Sequence, residues 1–252
     1  MHEVVEKDKL ISIIMPAYNE ASHIEKNIRE TKNVFDGFGC PYEIIVVDDG
    51  SSDDTYEKVR LLTHEIPNVH VRRNRANFGK GRTLKKAFRH TKGDYVVFLD
   101  SDLDLHPKQV KGLFSIMKAQ GVDVVIGSKR HPQSKLNYPI ARRFVSTVYF
   151  FLVKILFKLP IHDTQTGLKL FKRSVLKDVF PKILVKKYAY DLEILVLAHH
   201  FGYKIAEAPV TLHFQRSWGR IGFRSIYDTW IDTMAIFYRM YILHYYDRDH
   251  NS

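Results

Sequence analysis

An apolar run ends in three alternating aspartates in "YVVFLDSDLD", residues 95–104. If the chain stays extended there, Asp100, Asp102 and Asp104 share one face, and like charges so close repel. A divalent cation among them would make the arrangement favourable. Mg²⁺ and Mn²⁺ take carboxylate oxygens and share their coordination shell with substrate phosphates, so the motif reads as a metal–diphosphate site. Purely structural roles compete: Asp104 as the cap of a helix that Pro107 helps to start, or an Asp-Ser cluster in an ordinary loop. "VVDDGSSDDT" (46–55) has the same form. Its apolar segment ends in Asp48-Asp49, Gly50 permits a tight turn, and Ser52 or Asp53 is placed to cap the next helix. Asp53 and Asp54 read as turn and cap residues, and Asp49 as the acid at the edge of a cleft. "NFGKG" (77–81) offers two glycines and Lys80 near a helix start, a composition suited to phosphate and also to a plain turn.

The elements that must position these residues alternate. "LISIIM" (10–15), "YEIIVV" (42–47), "NVHVRR" (68–73), "DYVVFL" (94–99) and "VDVVIG" (122–127) read as strands, being short, β-branched and bounded by turn residues. Helical spacing lies between them, near 20–36, 54–65, 79–91 and 107–119. Continuous apolar strands alternating with helices imply an α/β fold with a mostly parallel sheet covered on both faces, which binds ligands at the carboxyl ends of its strands. "PAYNE", "DDGSSDDT", "DSDLD" and "GSKR" all follow strands. The second half differs. "RRFVSTVYFFLVKILFKL" (142–159) reads as a helix with Arg143, Thr147, Lys154 and Lys158 in one polar stripe and apolar residues elsewhere. That is the pattern of a helix lying in a membrane interface, or of a core helix whose lysines reach outward. "SIYDTWIDTMAIFYRMYILHYY" (225–246) is a second, aromatic-rich helix whose Asp228, Asp232 and Arg239 unsuit it to spanning a bilayer.

The chain has 252 residues, 45% of them hydrophobic, enough for one large domain or two small ones. Its net charge of +11 favours an anionic partner. Nucleic acid is disfavoured, because the basic residues are dispersed and no recognised motif appears. Cys40 is the sole cysteine, so no intrachain disulfide can form, as suits a reducing compartment. The charged start "MHEVVEKDK" does not read as a secretory signal, and no stretch reaches the ~20 apolar residues of a spanning helix.

Together, "SIIMPAYNE", "IIVVDDGSSDDT", "NFGKG" and "VVFLDSDLD" resemble the family-2 glycosyltransferases, whose nucleotide-sugar-binding fold is called GT-A. "DTQTGLKLFKR" (163–173) and "YAYDLEIL" (188–195) resemble the branch acting on polyprenyl phosphates, most closely its dolichyl-phosphate glucosyltransferases and then its mannose synthases. The resemblance covers about residues 10–220. It implies that Pro16, Tyr18, Glu20, Val47 and Asp49 belong to segments holding the nucleoside, that Lys80 and Ser101 belong to the donor site, and that Asp100 and Asp102 are the catalytic DxD acids. Asp102, with Asp104, would face Mg²⁺ or Mn²⁺. Lys129 stands where the family commonly has Arg, with Arg130 next, which leaves open which of them meets phosphate. Arg142 and Arg143 join the acceptor side. Arg216 matches an arginine of an R-x-x-G segment, and Arg220 stands in for a missing Ser-Lys. Gln165 and Asp191 have no settled role: in relatives that glycosylate hydroxyls an acid near Asp191 is the base, whereas here it could cap the helix from Leu192.

The implied reaction is a single inverting transfer of a hexose from a nucleotide-sugar, UDP-glucose before GDP-mannose, to a polyprenyl or dolichyl phosphate. The alternative is a sugar-hydroxyl acceptor. The expected organisation is a GT-A catalytic domain over 1–215, including the 142–159 helix, followed by a membrane-proximal loop and helix over 216–252. The expected location is peripheral, on the cytoplasmic face of a membrane.

Overall fold

The computed structural model describes residues 5–135, 140–185, 189–212 and 223–248, with the side chains of 140–147 and 223–226 outside that description. Seven strands form one sheet: β1 (Ile11–Ala17), β2 (Tyr42–Asp48), β3 (Val69–Arg73), β4 (Tyr95–Phe98), β5 (Val124–Ser128), β6 (Lys169–Lys172) and β7 (Ile205–Pro209), in the order β3-β2-β1-β4-β6-β5-β7. β1 pairs in parallel with β2, from Ile11 against Tyr42 to Ala17 against Asp48, and with β4. β3 is parallel to β2, and β7 to β5. Only β6 runs the other way, pairing antiparallel with both β4 and β5. The five expected strands are present, and the mostly parallel sheet is confirmed. β6 (KLFK) and β7 (IAEAP) lack the continuous β-branched run that marks most of the others.

The helices are α1 (Ile24–Asp36), α2 (Thr55–Glu65), α3 (Lys80–Phe88), α4 (Val110–Gln120), α5 (Ile140–Phe157), α6 (Arg173–Val179), α7 (Tyr190–His200) and α8 (Phe223–Phe237), the last continuing into a π-helical turn, Tyr238–Ile242. Alternate side chains of each strand feed two cores. Ile13, Ile44 and Val46 pack with α1, α2 and α4, while Ile14, Ile45 and Val47 pack with α3, α6 and α7 and with parts of α5 and α8. Val47, expected in the nucleoside site, is thus a core side chain. Both faces of β2 are covered, and Val47 points into the core on the α3, α6 and α7 side.

α7 is buried continuously from Tyr190 to Ala198. It therefore shows no amphipathic period. Inside it, the Glu193 carboxylate accepts from the Tyr246 hydroxyl (2.6 Å), the Arg239 guanidinium (2.9 Å) and the backbone N–H groups of Leu184 (3.1 Å) and Val185 (2.7 Å). This pins the C-terminal elements to the core, where loss of one partner of a buried ion pair costs about 3–5 kcal/mol.

α5 divides its apolar surface. Val153 and Phe157 join the core, and Tyr149 hydrogen-bonds Thr233 of α8 at 3.1 Å. Val148, Phe151 and Ile155, one helical stripe, face outward with 56%, 56% and 73% exposure. On α8 and its π turn, Tyr227, Trp230, Ile231, Tyr238, Tyr241 and Ile242 are exposed as well. The expectation left two readings of 142–159, core or interfacial, and the described half of the helix has both edges. Among the described residues no helix is long and apolar enough to cross a membrane.

Candidate active site

An open cleft of about 290 Å³ lies at the carboxyl ends of β1, β2 and β4, lined by Pro16, Ala17, Tyr18, Glu20, Asp49, Asn77, Gly79, Lys80, Thr83, Asp100, Ser101 and Asp102. Eight of the expected donor-side residues are therefore brought together, and Val47 is the exception. Asn77 and Gly79 come from the "NFGKG" segment and Ala17 from "PAYNE", and Thr83 is an addition that the sequence did not single out.

The walls are built from short side chains bonding backbone. Asp49 accepts from Asn74 Nδ2 (2.7 Å), the Phe78 N–H (3.1 Å) and the Gly79 N–H (2.9 Å), so it shapes the 77–79 loop while lining the cleft. Gly50, at φ +77°, is required there: a Cβ would lie 2.5 Å from the Ala76 carbonyl carbon. Asp53 staples two turns, its carboxylate accepting from the Thr55 N–H (3.0 Å) and the Ala21 N–H (3.1 Å), as expected of a turn residue. Asp48 is buried, with Arg73 Nε 3.2 Å from its Oδ2 and the Ser51 N–H donating to its Oδ1.

The extended segment proposed for 100–104 is corrected. The chain turns at Ser101-Asp102, and Leu103 takes φ +54°. Asn27 Nδ2 fixes this turn through the Ser101 carbonyl at 2.8 Å. The three carboxylates consequently diverge: the Asp104 N–H donates to Asp102 Oδ1 at 3.2 Å, and Asp104 does not line the cleft. Among the described residues no group of three His, Cys, Asp or Glu side chains is placed to hold a metal ion. Nor does Asp104 cap the next helix. The His106 side chain does so, accepting from the Lys108 N–H.

Asp100 is instead ion-paired with Lys80. Burial opposes its ionisation, yet the Lys80, Lys169 and Lys129 ammonium groups outweigh that and hold its carboxyl below the usual range. Lys80 responds in kind: burial would lower it, and Asp100, Asp191 and Asp102 raise it. The back of Asp100 rests on Gly167, where a Cβ would overlap its carboxylate.

The reversed strand β6 explains this contact. Lys169 begins β6 opposite Phe98, so the preceding loop, 163–168, is carried to the carboxyl end of β4. Asp163 ties that loop to "GSKR", accepting from the Lys129 N–H (2.9 Å), the Thr166 hydroxyl (2.6 Å) and the Gln165 N–H (3.0 Å). Lys129 acts electrostatically on both Asp163 and Asp100, whereas the Arg130 guanidinium lies over the Phe150 ring of α5, 5.0 Å from its centroid. Lys129 is thus the nearer of the two to the cleft, and Arg130 the one that joins it to α5. Gln165 is exposed and outside the cleft lining.

Asp191 lies within the first turn of α7, which Ala189 precedes, so it is not the helix cap. It pairs with Lys169 Nζ at 2.5 Å, both residues being buried. The sequence signal for this was a lysine inside the otherwise apolar "GLKLF". Arg216 and Arg220 lie outside the described residues, as do the side chains of Arg142 and Arg143.

A mostly parallel sheet with its acids at the strand ends, crossed by one reversed strand, has the GT-A architecture. Glucosyl-3-phosphoglycerate synthase from Mycobacterium tuberculosis, solved with uridine diphosphate, superposes with a TM-score of 0.68 at 20% identity, covering 91% of this chain and 79% of that one. Residues 12–180 match the family described as Glycosyl transferase family 2, and the chain belongs to that family. A dolichyl-phosphate beta-glucosyltransferase, ALG5A, of Trichomonas vaginalis is 34% identical over 209 residues, 79% of this chain and 64% of that protein. The glycosyltransferase AglD of Haloferax volcanii is 30% identical over 202 residues, 79% of this chain and 32% of its own length. The chain thus spans somewhat under two thirds of the first of these relatives and a third of the second.

Proposed function

We propose that this glycosyltransferase moves a hexose from a nucleotide-sugar, with UDP-glucose favoured over GDP-mannose, to a polyprenyl or dolichyl phosphate at a membrane surface. The observation that carries the reading is the convergence in one cleft of Asp100, Asp102 and Lys80, with Lys129 close by and its neighbour Arg130 seated on a helix whose outer edge is apolar. It is supported by the likeness to dolichyl-phosphate glucosyltransferases. A solved relative of the same fold is described with Mn²⁺ and UDP-glucose.

The donor set suits a divalent cation. Mg²⁺ and Mn²⁺ are commonly held by one or two carboxylates plus substrate phosphates, without an all-protein cage, and Asp100 and Asp102 line the same cleft with room for phosphate oxygens. These two would hold the ion, which when bound supplies neutralisation of the diphosphate leaving group. Pro16, Tyr18, Glu20 and Asp49 form the wall for the nucleoside. Lys80 is assigned to the donor phosphates, and Lys129, Arg130, Arg142, Arg143, Arg216 and Arg220 to the acceptor phosphate. An oxygen of that phosphate attacks the anomeric carbon as the bond to the donor phosphate breaks, inverting the centre. Residues 1–215 carry most of this chemistry, and the exposed aromatic edge of α8 and its π turn is assigned to the bilayer, the opposite edge being packed on the core.

The test is a panel of radiolabelled nucleotide-sugars with a polyprenyl phosphate in detergent micelles, the product extracted into organic solvent. Label in the organic phase with UDP-glucose and a divalent metal is the expected result. Transfer only to sugar hydroxyls would refute the reading.

A further inference from the structure

The Lys169–Asp191 pair takes no part in the chemistry above, yet it is the most deeply buried ion pair near the cleft. Lys169 is 0% exposed and Asp191 5%. The ammonium donates to Asp191 Oδ1 at 2.5 Å and to the Thr166 carbonyl. Two of its three protons are thereby committed, one to the acid and one to the loop that abuts Asp100. We propose that Lys169 sets the acceptor class: it holds Asp191 in a closed ion pair, so the site offers no general base and takes only a nucleophile that is already an oxyanion. The inference rests on the phosphate-acceptor reading and assigns that specificity to a named positioning residue.

The chemistry makes the distinction sharp. With a phosphate acceptor, a P–O⁻ oxygen forms the new bond to the anomeric carbon, the bond from that carbon to the donor phosphate breaks, and its electron pair leaves on the nucleoside diphosphate. No proton is released. With an alcohol the same exchange releases the hydroxyl proton, which a base must accept. One Asp191 oxygen is already taken by the buried ammonium, and the acid is not among the residues lining the cleft where an incoming hydroxyl would sit. The groups facing the pair do not free it. Lys80 of α3 lies beside Asp100 after β4, Asp163 is held by its own loop, and burial pushes the Tyr190 hydroxyl of α7, itself hydrogen-bonded to Asp191, far up and that of Tyr149 on α5 up to about 12. Burial also draws Lys169 down, against the pull of Asp191. Of these neighbours, Tyr190 through that hydrogen bond and Lys80 electrostatically also act on Asp191, so the acid is held by more than Lys169.

The experiment uses the full chain, the donor selected by the panel above, and two acceptors of equal chain length, a polyprenyl phosphate and the corresponding polyprenol. The wild type is read first: transfer to the alcohol in place of the phosphate overturns the function reading before any variant is made. Given transfer to the phosphate, Asp191→Asn is expected to keep kcat within about tenfold. It should also keep the acid limb of the pH–rate profile near pH 6, which belongs to the second ionisation of the acceptor phosphate, itself about 6. A base at Asp191 would instead cost about 10²–10⁴-fold in kcat and carry that limb away with it. Either loss, in a protein with normal circular dichroism and donor affinity, overturns the inference and leaves the function reading standing. Because Asp191→Asn strands a buried ammonium, Lys169→Met/Asp191→Leu is measured in parallel. Replacing a buried pair by apolar residues of similar volume is often tolerated, and retained transfer to phosphate in this variant supports the inference, whereas a hundredfold loss in a folded protein refutes it.

Discussion

Gly167→Ala isolates the contact that sets the position of Asp100. The backbone at Gly167 is not in the left-handed region, so alanine brings no torsional strain of that kind. The effect is steric. The new Cβ would overlap one carboxylate oxygen of Asp100, lie 2.5 Å from its Cγ and 3.0 Å from its Oδ1. Carbon atoms prefer a separation of about 3.5–4.0 Å, so the carboxylate must retreat by about 1 Å, or the 163–168 loop must rise by as much. A misplacement of that size in a catalytic group costs about 10²-fold in rate, equivalent to about 2.7 kcal/mol of barrier. Overpacking also costs about 1–3 kcal/mol of stability, a fall in Tm of a few degrees for a chain of this size. The assay is single-turnover hexose transfer at saturating donor, alongside thermal unfolding followed by circular dichroism. A hundredfold slower transfer in a folded protein is expected. Wild-type kcat with an unchanged Tm would show that the loop yields freely and that Gly167 does not position the acid.

Three further outcomes follow from the same structure. Chelation should abolish transfer and Mg²⁺ or Mn²⁺ restore it, and Asp102→Asn should lower kcat by about 10² or more without unfolding; full activity of that variant in excess chelator would end the metal reading. Phe151→Ser, Ile155→Ser and Trp230→Ser change exposed side chains, so flotation with anionic vesicles should drop several-fold while Tm and donor affinity hold; unchanged flotation would remove this face from the bilayer. Phe150 and Leu156 are unsuitable for that test, since Phe150 stacks on His162 and Leu156 packs on the core. Asp163 is held below its ordinary value of 3.8: burial opposes ionisation, but the Lys129 charge and three hydrogen bonds prevail. Folding therefore favours its charged form, and that stability is present above about pH 4 and lost as the pH falls through the folded value. Asp163→Asn should lower Tm at pH 7 and flatten its decline below pH 4; an unchanged Tm profile would contradict the network drawn around it.

Several features of this protein were written locally in the sequence. β1 to β5 were legible because buried parallel strands are continuous β-branched runs ended by turn residues, and α1 to α4 because one face of each meets water. The donor side of the cleft was legible for the same reason: Pro16 lies in the last residues of β1, Tyr18, Asp49 and Asp100 follow strands closely, and Lys80 opens α3, where the topology of a parallel sheet puts ligands. Tertiary structure decided what no local pattern encodes. α7 was expected only from Leu192 and starts two residues earlier; it is buried all round, so no amphipathic period marks its bounds. Val47 was misassigned because one residue along a strand separates a core side chain from the strand end beside the cleft. The three aspartates share a face only if the chain stays straight, and it does not: Leu103 turns it, and Asn27, 74 residues earlier, holds the turn through the Ser101 carbonyl. The partners of the acids also came from far along the chain. Lys80 at the start of α3 meets Asp100 after β4, and Lys169 reaches Asp191 because β6 runs against its neighbours and brings 163–169 to the carboxyl end of β4. Residue types and spacing determine which groups stand ready for chemistry. Only the packing of the sheet determines which charges neutralise one another, because ion pairing depends on distance in space and on exclusion of water, and neither is a property of a local stretch of chain.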